Sequence, residues 1–363
     1  MTVLLFIVIL GALIFVHELG HFLLAKLFGI RVDEFALGFP PRLFSRVVGE
    51  TRYALNLLPF GGYVKIFGED MTAIPSSDPD KSRSFSAQNR FKQAMVLVGG
   101  VSMNVIFAWL LLSAGFLFGA TVVSDDYPNR TLIDERLLVV SVLPDSPAFE
   151  AGLQEGDVVR GIRDESETIS MPSVTVVQQF VADHDAREVV FDIERSGVPS
   201  LISAIPKEGV VEGQAGVGIS MEQVGTLRLS IVGSLIEGMR RTSTLLVLTV
   251  QGLGGFLYEL FLFQADFSEV AGPVGIAILV GDAQSLGLFY LLSFTAIISL
   301  NLAVLNLIPF PALDGGRLFF VLIESVIRRP LPVNFIKTLN TVGFFLLIGL
   351  ILFITYKDIA KLF

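Results

Sequence analysis

Two histidines and a glutamate fall within five positions of the stretch "FVHELGHFLLAK": His17, Glu18 and His21. On a helix, residues i and i+4 share a face, so both imidazoles can reach one metal ion. Glu18 is turned about 100° from His17 at roughly 3.6 residues per turn. That is too wide for a comfortable third ligand and close enough to touch a water on the metal. A zinc ion lowers the pKa of water to about 7, and a carboxylate beside it can take the proton and deliver it to a leaving amine. The chemistry expected is therefore metal-assisted hydrolysis, with Glu18 as the catalytic carboxylate. The chain has three histidines, and two stand at this spacing. The third, His184, reads as a surface residue.

The five-residue pattern also occurs by chance, so its surroundings matter. The preceding residues "LLFIVILGALI" are entirely apolar. An ionisable group at membrane depth costs about 2.5–3.5 kcal/mol on insertion scales, which makes such groups functional by default. If the helix enters the bilayer near Val3, His17 lies about 21 Å along it and His21 about 27 Å. The hydrocarbon core is about 30 Å thick, so the metal is expected inside the membrane, near its far side.

A catalytic zinc keeps three protein ligands and one open position. Asp314 is the candidate third ligand. It is the only acidic residue between Asp282 and Glu324, and it follows Pro309 and Pro311 and precedes Gly315 and Gly316. Such a break in a helix lets a carboxylate turn inward, at a depth where irregular backbone must be buried in protein or line a cavity. The plainer reading is an ordinary loop aspartate at a helix end.

These residues need a membrane scaffold, and the composition supplies one. The chain is 52% hydrophobic and 17% charged, against about 25% charged in soluble globular chains. Its mean hydropathy is +0.69. The net charge of −9 argues against nucleic acid, which selects basic surfaces. There is no cysteine, so disulfides, Cys-ligated zinc and thiol catalysis are excluded. The fold class expected is a polytopic α-helical membrane protein with four transmembrane helices, near 2–25, 94–120, 286–309 and 339–356. The first reads as a retained span, since no positive residue precedes it and no small-residue cleavage site follows.

Charge sets the sidedness. Residues 26–93 carry 10 Lys/Arg against 7 Asp/Glu, whereas 124–228 carry 8 against 19. The positive-inside rule places 26–93 and 317–338 in the cytoplasm and the acidic region outside. Residues 242–263 are long enough to span but contain Gly252, Gly254, Gly255 and Glu259. They are expected to form an amphipathic, membrane-associated helix on the outer side. Parity ties this to the metal: with three crossings Asp314 emerges level with His21, and with four it lies roughly 30 Å away.

The domain organisation expected is as follows. Residues 1–122 hold the first two spans, the metal-binding pair and a cytoplasmic-side β-hairpin. Residues 137–222 form an extracytoplasmic α/β domain, 229–282 the amphipathic helix and loop, and 286–363 the last two spans. In the hairpin, "YALNLLPFGGYVKIF" reads as two strands around Pro59–Gly62, and its edge at Gly61, Gly62 and Tyr63 is a candidate substrate-binding strand. A purely structural hairpin fits equally.

H-E-L-G-H in a first span, together with N-x-x-P-x-P-x-L-D-G-G from Asn306 to Gly316, resembles the site-2 protease family of intramembrane zinc metalloproteases. "GFPPRLF" (38–44), "LNLLPFGGYVKIFGED" (55–70), "VGGVSMN" (98–104) and "GPVGI" (272–276) are similar to motifs of its bacterial RseP-type branch. "SPAFEAGLQEGDVVRGI" and the closing "GQAGVGIS" (213–220) resemble the PDZ domains of bacterial proteases. The resemblance implies one Zn2+ per chain held by His17, His21 and Asp314, with Glu18 catalytic and Asn306 binding substrate. It implies a single-span membrane protein as substrate, for example an anti-sigma factor or a signal-peptide remnant, and a peptide or substrate tail at the PDZ-like domain. It also implies a bacterial cytoplasmic membrane location, multi-pass, with the site near the cytoplasmic side. Two features depart from the family pattern: there is room for one PDZ domain where two are common, and Gly38-Phe39-Pro40 stands where G-F-G is frequent. The competing reading is a transporter or ion relay built on the same His/Glu/Asp cluster. It predicts inverted repeats, and the sequence has none.

Overall fold

The computed structural model describes residues 2–69, 78–164, 166–195, 197–211, 214–267 and 270–361. The chain divides into two units, Met1–Gly115 with Ile231–Phe363, and Phe116–Ser230.

The first unit opens with α1 (Thr2–Leu27). The long strands β1 (Val32–Val48) and β2 (Thr51–Ile66) follow, and then α2 (Arg90–Phe118). Glycines let α1 and α2 touch: a Cβ on Gly20 would sit 2.2 Å from the Gly99 carbonyl oxygen. The helices run in opposite directions, since His21 meets Val96 and His17 meets Asn104.

The hairpin differs from the sequence expectation. Its turn lies at Gly49-Glu50, where Gly49 takes the positive φ of 62° that a two-residue turn needs. β2 runs on through Pro59–Gly62 and bends there. Residues 34–37 of β1 are flanked by 62–65 on one side and by 52–55 on the other, and 52–55 in turn pairs with 44–47. The small sheet therefore has 62–66 as one of its edges. It rests on α1 through Phe15, Phe22, Phe35 and Tyr53, whose ring centroids are 5.2–6.2 Å apart. Sequence reasoning placed the turn at Pro59–Gly62 because Pro59 and Gly61 are strong breakers; pairing of each half with β1 overrides that local signal.

The second unit is an α/β domain. Its elements are β3 (Ala120–Val123), β4 (Ile133–Val142), α3 (Pro147–Ala151), β5 (Val158–Arg163), β6 (Thr168–Ser170) and α4 (Val174–Asp183). They continue with β7 (Val189–Arg195), β8 (Val198–Ala204), β9 (Lys207–Val211), β10 (Gln214–Gly216) and β11 (Ile219–Leu227). The main sheet has the order β3-β11-β4-β5-β7-β8, with β6 paired to β5. α3 follows helix start and stop rules: the Ser146 hydroxyl accepts from the Phe149 N–H, Pro147 opens it, and Gly152 closes it at φ 87°. Leu137, Val139, Ile162, Val177, Phe180, Phe191 and Ile193 form the core. Beneath α3, Arg195 donates to both oxygens of buried Asp157 at 2.7 Å.

The chain returns to the first unit with α5 (Ile231–Phe261), α6 (Pro273–Leu286), α7 (Leu288–Leu307), α8 (Asp314–Ile327) and α9 (Val333–Ala360). Among the described residues, five helices are long and apolar enough to cross a membrane: α1, α2, α5, α7 and α9. Together with the sheets they define a polytopic membrane protein. α5 is the least apolar of the five. α7 runs antiparallel to α2: Phe289 packs on Gly115 and the Ser299 hydroxyl donates to the Asn104 carbonyl at 2.8 Å.

Candidate metal centre and active site

Helical spacing puts His17 and His21 on one face of α1, and both side chains are buried. α7 stops at Leu307 because Pro309 and Pro311 cannot continue it. The next residues curl back, with Ala312 at φ 75° donating its N–H to Asn340 Oδ1 of α9. Gly315 and Gly316 let this loop close on itself; a Cβ on either would sit 2.2–2.3 Å from the carbonyl oxygens of Phe310 or Ile308. Asp314 thus begins α8 with its carboxylate turned toward α1. Arg317, one turn on, pairs with Glu69, and Glu324 pairs with Arg90 at 2.7 Å, so α8 is tied to the segment after β2 and to α2.

The three candidate ligands converge. Asp314 Oδ2 is 2.9 Å from His17 Nε2 and 3.2 Å from His21 Nε2, and the two nitrogens are 3.2 Å apart. Tetrahedral zinc with ligand distances of about 2.0–2.1 Å sets its ligand atoms about 3.3 Å from one another. The triangle therefore fits zinc. Two imidazoles and one carboxylate are also a donor set that zinc takes in hydrolytic sites. α2 backs the triangle without a side chain: a Cβ on Gly100 would lie 2.5 Å from His21 Nε2 and 2.8 Å from His17 Nε2. Glycine there leaves room for an ion.

Glu18 lies beside the triangle, near His21 and Asp314, and against the β-sheet edge. Gly62 packs on it, with a hypothetical Cβ 3.5 Å from Glu18 Cγ. Gly61 takes φ 145° beneath the Phe39 ring. The Tyr63 hydroxyl donates to Glu34 at 3.2 Å, and its ring stacks on Phe39, so this side chain serves the sheet. Asn306 is half-buried on the last turn of α7, and among the described residues its side chain has no hydrogen-bond partner.

Sequence reasoning did not single out Asn104, Gly99 or Gly100 as site residues. Gly100 and Asn104 stand at i and i+4 on α2 and so face the same way. Asn104 is fully buried with its amide 3.2 Å from His17 Nδ1. The Val96 carbonyl accepts from His21 Nδ1 at 2.9 Å. The signal was the run "VGGVSMN" in an otherwise bulky apolar helix, which records a close approach without saying to what.

A helical scaffold with several membrane-length helices, a His/His/carboxylate triangle that fits zinc and a neighbouring glutamate has the make-up of a membrane zinc metallopeptidase. The chain belongs to peptidase family M50, the site-2 proteases, whose family profile matches residues 5–350. It is 37% identical over 359 residues to a Clostridium perfringens protein whose name proposes a zinc metalloprotease, covering 96% of each chain. It is 30% identical over 432 residues to the zinc metalloprotease RasP of Geobacillus kaustophilus, covering 99% of this chain and 97% of that one. A similar protein of Oceanobacillus iheyensis, also named zinc metalloprotease RasP, is 28% identical over 441 residues. The chain is a zinc metalloendopeptidase, and its family acts on membrane-embedded substrates.

Proposed function

We propose that the protein cuts single-span membrane proteins within or beside their transmembrane helix, with His17, His21 and Asp314 holding one Zn2+ and Glu18 handling the proton. The observation that carries this reading is the convergence of those three ligand atoms beside a glutamate in an apolar helix bundle. When bound, zinc supplies Lewis-acid polarisation of the scissile carbonyl and acidifies the attacking water. Glu18 takes the water's proton and passes it to the leaving amine.

A substrate helix hides its peptide groups in its own hydrogen bonds, and opening it in lipid leaves polar groups unpaired at several kcal/mol each. Among the described residues, 62–66 pairs with a strand on one side only and lies beside Glu18, suited to accept the opened segment as an added strand. Backbone at Gly61, Gly62 and Tyr63 contributes to that edge, and Asn306, with its amide unengaged, holds the segment from the other side. Anti-sigma factors and signal-peptide remnants are substrates of the right form.

Four spans, α1, α2, α7 and α9, fit this picture better than five. α2 ends and α7 begins at one level, since Phe289 meets Gly115. The chain between them therefore makes an even number of crossings. α6, with 14 residues, is about 21 Å long and too short to return across about 30 Å, so α5 does not cross. In support, the Leu235 carbonyl accepts from Trp109 Nε1, and Phe256 at the far end edges Phe267, which edges Phe353 of α9. Ser113, beneath Gly238, lies about 14 Å along α2 from the metal-level Asn104 at 1.5 Å per residue. By the positive-inside rule the metal centre lies near the cytoplasmic face of a bacterial inner membrane. The acidic 116–230 unit then lies outside, where a PDZ-like fold at 137–222 screens substrate tails.

The test is cleavage of a reporter single-span substrate in detergent. Wild type cuts and Glu18→Gln does not; a fully active Glu18→Gln enzyme sinks the proposal. Reporters inserted near 235 and 265 both read outside, and opposite readings refute the four-span arrangement.

A further inference from the structure

A histidine that binds metal through Nε2 carries its proton on Nδ1, and that proton needs an acceptor in a dry site. His21 has one: its Nδ1 lies 2.9 Å from the Val96 carbonyl oxygen. His17 Nδ1 faces the side-chain amide of Asn104 at 3.2 Å, with Nδ2 as the nearer atom. In that placement Asn104 Oδ1 is buried and unpartnered. The two ends of a carboxamide have nearly the same shape, and the hydrogen-bond network decides which end faces which partner. Turning the amide over puts Oδ1 on His17 Nδ1 and removes a buried orphan acceptor, whose cost is otherwise that of an unmade hydrogen bond.

We propose that Asn104 is a positioning residue for the metal centre: its carboxamide oxygen accepts the Nδ1 proton of His17 and thereby leaves Nε2 as the ligand atom. α2 then acts as a template, giving one acceptor to each histidine, a backbone carbonyl to His21 and a side-chain oxygen to His17. Its own place is set by Ser299 of α7, whose hydroxyl holds the Asn104 carbonyl. The proposal rests on His17 as a zinc ligand, which His17→Ala tests separately.

The experiment is zinc affinity of the purified full chain in detergent, read by competition with a chromophoric zinc chelator. Asn104→Leu keeps the volume and removes the acceptor; Asn104→Asp keeps an acceptor whether charged or neutral and removes the amide donor. Asn104→Leu is expected to bind zinc about 10–100-fold more weakly, the range for lost outer partners of metal-bound histidines, and Asn104→Asp to stay near wild type. Wild-type affinity in Asn104→Leu, or an equal loss in Asn104→Asp, overturns the proposal. A readout free of folding effects is 15N-histidine NMR of the zinc-loaded wild type: a slowly exchanging, hydrogen-bonded Nδ1–H on His17 is expected, and its absence refutes the assignment. Loss of zinc in His17→Ala with none of these signatures would leave the metal site standing and remove Asn104 from it.

Discussion

Asp314 Oδ2 lies 2.9 Å from His17 Nε2, although 297 positions of chain separate the two residues. A carboxylate that reaches both histidines in this way completes the proposed ligand set, which neither helix holds alone. Removing it removes a ligand while leaving the helices intact. Asp314→Asn is therefore expected to carry far less than one zinc per chain after dialysis, where wild type carries about one. Metal analysis checks this. A chelator should abolish wild-type cleavage, and zinc should restore it.

Glu18 has a different role, and the separation is measurable. It sits outside the triangle and against Gly62. Glu18→Gln should keep its zinc and lose cleavage by at least about 10²–10⁴-fold, the usual contribution of positioned proton transfer. Zinc content and turnover measured on one preparation decide it.

Gly100 offers a steric test. The Cβ of Gly100→Ala would fall 2.5 and 2.8 Å from the two Nε2 atoms, well inside van der Waals contact. Helical glycine to alanine is otherwise favourable by about 1 kcal/mol. The variant should retain helical circular dichroism yet lose zinc and activity together. Full zinc occupancy in Gly100→Ala contradicts the cradle.

The sheet edge is tested with proline. Val64 lies on the edge strand opposite Phe35 and close to Glu18, and a proline on an edge strand is tolerated where its position does not donate to the ladder. Val64→Pro should slow cleavage of a transmembrane helix at least about tenfold more than cleavage of a short extended peptide. Equal losses on both substrates show that Val64 serves Glu18 alone.

The 116–230 unit carries a pH-dependent contact. His184 Nε2 lies 2.9 Å from Asp164 Oδ2. The Glu167 and Ser166 N–H groups, and then His184, hold Asp164 well below the usual carboxylate range. The Phe180 carbonyl, and then Asp164, raise His184. A lowered carboxylate stabilises the fold above its unfolded pKa of about 3.9 and loses that as pH falls. A raised histidine stabilises it fully below its unfolded pKa of about 6.5 and loses that as pH rises through the folded value. The pair contributes most between about pH 4 and 6.5. Thermal melts of wild type and His184→Gln should differ most near pH 5 and converge above neutrality.

The sequence by itself determined the local and periodic features. His17 and His21 share a face because four residues are about one helical turn. The spans are legible because about 20 apolar residues cross a bilayer whatever surrounds them, and the Ser146–Gly152 helix is legible because caps and breakers act within a few positions. Asp314 was marked by its isolation among apolar residues, but its role needed a partner far away in the chain. Only the tertiary structure brought Asp314 onto the histidines, set Gly100 behind them and Asn104 beside them, and paired residues 34–37 with strands on both sides, so that the hairpin turns at Gly49 and the 62–66 edge faces Glu18. These relations depend on which helix and strand faces meet, and that is decided by packing the whole bundle at once.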